Sequence, residues 1–289
     1  SGDSACSIPP YSLPGLVVQE IERATRELAM HLQVIGLMNV QYAVKTEDGE
    51  MNVYVLEVNP RASRTVPFVA KATGLPVAKI ATQVMAGSTL DELGIEKFPI
   101  PSIVSIKESV FPFRKFAGVD IVLGPEMRST GEVMGISKRF SIAFAKSQLA
   151  AGVVLPEVGN IFLSVTLRHK QIIKGLARRL HAMGFGLMAT EGTARSIEED
   201  GIPVQRVKKL AEGHPNLIDH LIDGNVALAL NTPNGKGART DEGRIRAAAV
   251  QHGVPCITTI QAAEAAVTAM EALREEEMTV EALQDRSMA

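Results

Sequence analysis

From Gly159 onward the chain repeats one pattern, a short apolar run followed by an amphipathic stretch of helical length. IFLSV precedes KQIIKGLARRLHAMG, GLMAT precedes ARSIEED, PVQRV precedes HPNLIDHLIDG, VALALNTP precedes RIRAAAVQHG, and PCITTI precedes a stretch ending near Leu273. Strands without a polar face must be covered on both sides, and the intervening helices are the means of covering them. The pattern therefore predicts an α/β fold with five parallel strands between two helical layers, and ligands at the carboxyl ends of the strands. The tail EEEMTVEALQDRSMA reads as a charged terminal helix.

Those strand ends carry Ser164, the ATEGT run from Ala189 to Thr193, Lys209 and the NTPNGKG run from Asn231 to Gly237. Thr190, Gly192 and Thr193 fall between a strand and a helix, where free amides and the helix dipole favour a phosphate and hydroxyls add donors. Lys170 follows the first strand and Lys209 the third, so both are placed to reach one crevice. The plainer alternative is that Thr190 and Thr193 cap a helix and that the lysines are solvated. No GxGxxG fingerprint is present, which argues against a dinucleotide cofactor.

The N-terminal half carries a different signal. LMNVQYAV and VYVLEVNPR are both strand-like, and TEDGEM between them is a polar hairpin connection. Alternation along VYVLEVNPR puts Glu57 and Asn59 on one strand face, about 7 Å apart along the chain. Pairing across the hairpin brings Gln41 opposite Glu57. Such a trio offers hard oxygen ligands suited to magnesium. Arg61 and Arg64 follow as planar donors for phosphate oxygens. A structural ion pair between Glu57 and Arg61 or Arg64 is the competing reading.

Around the hairpin, Val17, Ile21, Ala24, Leu28 and Leu32 recur at helical spacing within 13–32, predicting a helix that covers the hairpin. VPFVAKATG predicts a short helix closed by Gly74, Pro76 starts another ending about Met85, and STLDELG has a Ser and an Asp at capping-box spacing. From Phe98 to Pro112 two Pro-containing turns flank an apolar alternating run, Lys115 to Gly135 is rich in Gly, Pro and polar residues, RFSIAFAKSQLAAG is helical, and Gly152, Pro156 and Gly159 punctuate a linker.

Composition narrows the function classes. The net charge is -2 with 46% hydrophobic and 21% charged residues, so no nucleic-acid field is expected. Aromatics at 4% without Trp argue against a base-stacking platform. No membrane span or leader is legible, and the two cysteines, Cys6 and Cys256, suggest reduced thiols in the cytoplasm. His31, His181 and His252 fall in or at the ends of amphipathic helices, and the six histidines lack metal-ligand spacing.

LEVNPRASRTVPFVAKATG and LGPEMRSTGEVMG, with the opening SGDSACSIPPYSLP, resemble the large subunit of carbamoyl phosphate synthetase. The resemblance implies a partial ATP-grasp lobe of antiparallel strands and helices, followed by a methylglyoxal-synthase-like domain. It divides the chain into 1–95, the end of the second ATP-grasp domain; 96–151, a connecting region; and 152–289, an allosteric domain. The start at Ser1, in the middle of a motif, is expected of a fragment of the longer subunit.

In that family the second ATP-grasp site phosphorylates carbamate with MgATP to give carbamoyl phosphate, which feeds pyrimidine and arginine synthesis. Carried over residue by residue, Ser1, Gln41 and Glu57 contact ATP, Gln41, Glu57 and Asn59 hold Mg2+ or Mn2+, and Arg61 and Arg64 neutralise the transferring phosphoryl group. The effector pocket takes Lys170, Thr190, Thr193, Lys209, Asn231 and Thr232, with UMP or IMP as the nucleotide monophosphate. The partners implied are a glutaminase small subunit and the N-terminal part of the large subunit. Two rivals remain: a stand-alone nucleotide-binding regulatory module without catalysis, and methylglyoxal synthase, which needs acidic groups that Ser164–Thr166 and Asn231–Asn234 do not supply.

Overall fold

The computed structural model describes residues 3–95, 98, 100–115, 121–124, 126–232 and 241–285. Its contacts gather into two compact units, one formed chiefly by Cys6–Ser105 and the other chiefly by Ile106–Thr279. Residues 106–151, read from sequence as a connection, belong by contacts to the second unit.

The first unit runs β1 (Cys6–Ile8), α1 (Gly15–His31), β2 (Asn39–Glu47), β3 (Glu50–Asn59), α2 (Val66–Thr73) and α3 (Val77–Met85). Pro14 holds the extended backbone before α1, so the helix starts at Gly15 rather than at Leu13. The hairpin forms as expected, closed by Asp48 and Gly49 with φ of 52° and 87°, the paired positive angles of a tight primed turn. α1 lies on β3, and Thr25 Oγ1 and Tyr42 Oη share a 2.7 Å hydrogen bond that ties the helix to β2. Val17, Phe68, Ile80 and Ala81 form the buried centre, whereas Leu56 on β3 is 64% exposed.

Gly74 closes α2 in the left-handed region at φ 75°, and α3 starts after Pro76, both as expected. The capping box after α3 is displaced by one residue from the expected Ser88 and Asp91. Thr89 and Glu92 make the reciprocal pair instead, Glu92 N donating to Thr89 Oγ1 at 3.2 Å and Thr89 N to Glu92 Oε2 at 2.9 Å. The hydroxyl and carboxylate of Thr89 and Glu92 serve the same purpose as the sequence signature.

The second unit contains β4 (Val104–Val110, of which the first two residues cluster with the first unit), β5 (Gly131–Ser137) and α4 (Phe140–Ala150), then β6 (Asn160–Ser164), α5 (Lys170–Ala182), β7 (Gly186–Thr190), α6 (Glu191–Glu198), β8 (Gln205–Val207), α7 (Leu217–Ile222), β9 (Leu228–Asn231), α8 (Asp241–Gln251), β10 (Cys256–Ile257) and α9 (Ile260–Glu275). β4, which coincides with the apolar alternating run expected within 98–112, and β5, in a stretch read as Gly-, Pro- and polar-rich, are neighbours in a small sheet. Ser105, Ile106 and Lys107 are buried in succession, so both faces of β4 are covered there.

The large sheet has the order β10-β9-β6-β7-β8, and its strand pairs are parallel. One face of β6 sends Phe162 into a cluster with Met188, Val207, Leu217, Leu221 and Ala249, under α7 and α8. Ile161 and Leu163 point to the opposite face, where Ile173, Leu180 and Val267 are equally buried on α5 and α9. Arg179 of α5 clamps Glu271 of α9 with two bonds of 2.7 and 2.8 Å. The chain leaves β6 toward β7 and β8, then returns to place β9 on the other side of β6, which makes a switch point beside the end of β6.

The tail departs from expectation. Beyond α9 the described residues hold only a single 3-10 turn at Leu283–Asp285, and Val280 is 98% exposed. The acidic run Glu275 to Glu277 at the carboxyl end of α9 opposes the helix dipole, so continuation as a helix is unfavourable there.

Candidate functional site

A cavity of about 960 Å³ opens at the carboxyl ends of β6, β7 and β8. It sits at the crevice the strand order creates, and its volume is at the upper end for a small-molecule pocket. Lys170, Thr190, Thr193 and Lys209 line it, four of the six residues expected there. Asn231 and Thr232 end the neighbouring strand, with Asn231 in register with Ser164 on the cavity rim.

Thr190 occupies the N-cap position of α6 with an extended backbone, yet its side chain makes no cap hydrogen bond. The hydroxyl is thus not consumed in capping, unlike the plainer reading. Thr193 is buried, and its Oγ1 accepts the backbone N–H of Val165 at 3.4 Å. Thr232 Oγ1 accepts from Thr166 N at 3.2 Å, so two threonines from separate elements hold the segment that follows β6. Each hydroxyl retains its own proton for a further acceptor. Asn231 is fully buried, and among the described residues neither its Oδ1 nor its Nδ2 has a hydrogen-bond partner. A buried amide with both ends unsatisfied is costly, and such groups concentrate at ligand sites.

The two lysines are held differently. Lys170 Nζ donates to the carbonyl of Gly192 in the first turn of α6, and a Cβ on residue 192 would stand 3.2 Å from that nitrogen. Lys209 is positioned by its own backbone, its N–H donating to Glu212 Oε2 at 2.8 Å. Sequence reasoning passed over Arg168 and Lys208, which line the same cavity. Their adjacency to Lys170 and Lys209 was the available signal. His169 was also missed; its Nδ1 lies 3.2 Å from Thr166 Oγ1 and 3.5 Å from Thr232 Oγ1. The expected NTPNGKG loop beyond Thr232 lies outside the described residues.

In the first unit the register is the decisive fact: Gln41 pairs with Glu57 and Asn39 with Asn59. The register shifts between Gln41 and Tyr42, which pairs with Val55, so Leu56 is the extra residue of a bulge. Glu57 and Asn59 lie beyond it and keep a common face. Their side chains lean together rather than standing 7 Å apart, with Asn59 Nδ2 donating to Glu57 Oε1 at 3.0 Å. That leaves Asn59 Oδ1 and Glu57 Oε2 as outward oxygens.

Neither arginine pairs with Glu57. Arg61 donates to the carbonyl of Ala62 at 3.2 Å, Arg64 has no ion pair among the described residues, and both are exposed. The structural ion pair is therefore not what the chain forms. Gln41, Glu57 and Asn59 present uncharged and anionic oxygens of the kind magnesium or manganese accepts, so the donor set fits such an ion. Ser1 lies outside the described residues. No helix among the described residues is long and apolar enough to cross a membrane.

The family profile described as "Carbamoyl-phosphate synthase L chain, ATP binding domain" matches residues 1–93, and that described as "MGS-like domain" matches residues 173–258. The carbamoyl phosphate synthase large chain of Rhodopirellula baltica is 68% identical over 286 residues, 99% of this chain and 26% of its own length. The chain belongs to the carbamoyl phosphate synthase large-chain family.

The large chain of Myxococcus xanthus is 50% identical over 285 residues, again 99% of this chain and 26% of its own. A relative from Aquifex aeolicus, named as the C-terminal section of the large chain, is 49% identical over 290 residues, covering 95% of this chain and 53% of its own. The chain thus spans about a quarter of the length of most large chains it matches. Of the two profiles, the ATP-binding one contains the Gln41, Glu57, Asn59, Arg61 and Arg64 set. The MGS-like one contains Thr190, Thr193, Lys209, Asn231 and Thr232, with Lys170 just before it.

Proposed function

We propose that the chain works as part of a carbamoyl phosphate synthase large chain, a ligase that uses MgATP to phosphorylate carbamate to carbamoyl phosphate for pyrimidine and arginine synthesis. The observation that carries this reading is the register of Gln41 against Glu57, with Asn59 bonded to Glu57 on the same face. Gln41, Glu57 and Asn59 hold Mg2+ or Mn2+, with Gln41 and Glu57 also facing ATP. The ion, when bound, neutralises polyphosphate charge. Arg61 and Arg64, without carboxylate partners among the described residues, orient phosphate oxygens and offset charge that develops on the transferring phosphoryl group. No nucleophilic side chain is required of this chain.

The cavity of the second unit takes a nucleotide effector. Thr190, Thr193 and the amides opening α6 receive its phosphate together with Lys170, while Lys209, Asn231 and Thr232 face the remainder of the molecule. Allosteric control of a cytoplasmic enzyme is the role that fits, with UMP or IMP as the expected effector. A glutaminase small subunit and the N-terminal part of a large chain complete the active assembly, and the 289-residue chain alone does not turn over. Binding of the effector by a module without catalysis is the second reading, favoured by a cavity built wholly within the second unit.

Thermal denaturation with UMP, IMP and MgATP in separate samples tests both sites. A ligand at a hundred times its dissociation constant stabilises by roughly 2.7 kcal/mol. A shift with UMP or IMP supports the effector site, and loss of that shift in Thr190→Ala ties it to the cavity. No shift with any nucleotide removes the reading of the cavity.

A further inference from the structure

Val165 and Thr166 follow β6 along the cavity wall and are latched at two points, Val165 N to Thr193 Oγ1 and Thr166 N to Thr232 Oγ1. His169 closes the turn after them, its backbone N–H donating to the Thr166 carbonyl at 3.0 Å. That turn folds the imidazole back on the second latch, with Nδ1 3.2 Å from Thr166 Oγ1 and 3.5 Å from Thr232 Oγ1. Both threonines are buried, and Thr166 lines the cavity.

A threonine hydroxyl has one proton to give and two lone pairs. Thr232 Oγ1 already accepts from Thr166 N, so what stays open at the two hydroxyls is the direction of their protons. A buried hydroxyl proton needs an acceptor, and Nδ1 of a neutral ring protonated at Nε2 is one within reach, Thr166 being the nearer donor. Once the ring takes up a second proton, both of its nitrogens are donors. Nδ1–H then bonds Thr166 Oγ1, and the hydroxyl proton turns away from the ring toward the cavity.

We infer that His169 is a positioning residue for the ligand of this cavity, its protonation turning the Thr166 hydroxyl to the ligand so that anion binding tightens as pH falls. The inference rests on the effector reading of the cavity and adds a regulatory input to it. A proton on the ring supplies a positive charge and a freed donor, both of which favour an anion, and a bound anion reciprocally favours the protonated ring. Arg168 and Lys170 flank the ring in sequence, and α5, which packs on its turn, adds Lys174, turned to Glu199 at 2.6 Å. Lys208, Lys209 and Asp241 stand elsewhere on the cavity wall, and β9 carries no titratable side chain. Among the described residues the side-chain partners of the ring are thus hydroxyls, which feel its protonation directly.

Two measurements on the 289-residue chain test this. Nitrogen-15 NMR of the imidazole, assigned by loss of its signals in His169→Gln, should show the neutral ring protonated at Nε2. A neutral ring protonated at Nδ1 overturns the inference. Calorimetric titration with UMP and with IMP between about pH 5.5 and 8, the range in which imidazole changes charge, compares the parent with His169→Gln. Ionisation of the nucleotide phosphate is common to both proteins and cancels in their ratio. Parent affinity relative to the variant should rise roughly fivefold or more from the upper pH to the lower. Thr166→Val, which removes the hydroxyl and keeps the ring, should lose about half of that rise or more.

A ratio that does not vary with pH overturns the inference and leaves the effector reading standing. So does a rise undiminished in Thr166→Val, because the hydroxyl then plays no part. Absence of UMP and IMP binding at every pH overturns both. Unchanged melting temperatures establish that the variants are folded, and the tautomer read in the parent decides the matter where one is not.

Discussion

Lys107 reaches Glu132 at 3.1 Å across the small sheet, with the lysine side chain 2% exposed and the glutamate 19%. Removing the lysine leaves the Glu132 carboxylate, largely withdrawn from water, without its partner. Lys107→Ala is expected to cost about 3–5 kcal/mol. The combination Lys107→Met with Glu132→Leu should recover most of that loss. Urea denaturation followed by circular dichroism reads both, and a Lys107→Ala variant within about 0.5 kcal/mol of the parent refutes the account.

At Gly135 the strand β5 meets α4 so closely that a Cβ would stand 2.0 Å from the carbonyl oxygen of Ala143 and 2.5 Å from Ser147 N. Backbone atoms of a packed helix cannot swing aside as a side chain does. Gly135→Ala should therefore destabilise by about 3 kcal/mol or more. Gly175→Ala, where a Cβ meets nothing within 4 Å, serves as the control and should be neutral or stabilising.

Burial pushes the Glu108 carboxyl above the ordinary carboxylate range, against the opposing bonds from Ser109 N and Gln148 Nε2 and the nearby Lys107 charge. The folded state thus holds the proton more tightly than the unfolded chain. Its stabilising share is fully present below the unfolded value, about 4.3, and is lost as pH rises through the raised folded value. The stability of Glu108→Gln relative to the parent should increase with pH over that window and level off above it. A difference independent of pH would mean that Glu108 titrates as an ordinary carboxyl.

Thr193 and Thr190 stand three residues apart with opposite duties. Thr193→Val leaves the Val165 N–H without its acceptor and should cost about 1–3 kcal/mol. Thr190 makes no cap bond, so Thr190→Ala should change stability little while weakening phosphate binding roughly tenfold. Melting curves and titration with UMP separate the two. Equal effects on both readouts would erase the distinction.

Glu57 receives one side-chain bond, from Asn59, and is exposed. Glu57→Gln introduced into a complete large chain should lower carbamate phosphorylation by about a hundredfold or more while the melting temperature stays within a degree or so. Loss of activity accompanied by a large loss of stability would assign Glu57 to the scaffold instead.

The parallel sheet was legible because its central strands β6, β7 and β9 are apolar runs buried on both faces, set between amphipathic helices. GLMAT coincides with β7, and IFLSV is displaced by one residue from β6. The apolar alternation over β4 was legible, but the β5 segment GEVMGIS was not, since it carries two glycines and its partners on β4 are distant in sequence. Arg168 and Lys208 had only their adjacency to Lys170 and Lys209 as a signal, because a cation's role depends on whether a carboxylate lies nearby in space.

What the sequence by itself determined was local: the Asp48–Gly49 turn with the strands beside it, the αL closure at Gly74, the alternation of strands and helices, and the placing of threonines and lysines at strand ends. Those follow from backbone preferences and periodicity, which act over a few residues. The bulge at Leu56, the closeness of Asn59 to Glu57, the threonine latches on Val165 and Thr166, and the gathering of Arg168, Lys170, Lys208 and Lys209 around one cavity were decided by tertiary structure. Each depends on which groups satisfy one another across long stretches of chain, and hydrogen bonds and charges are answered by neighbours in space rather than in sequence.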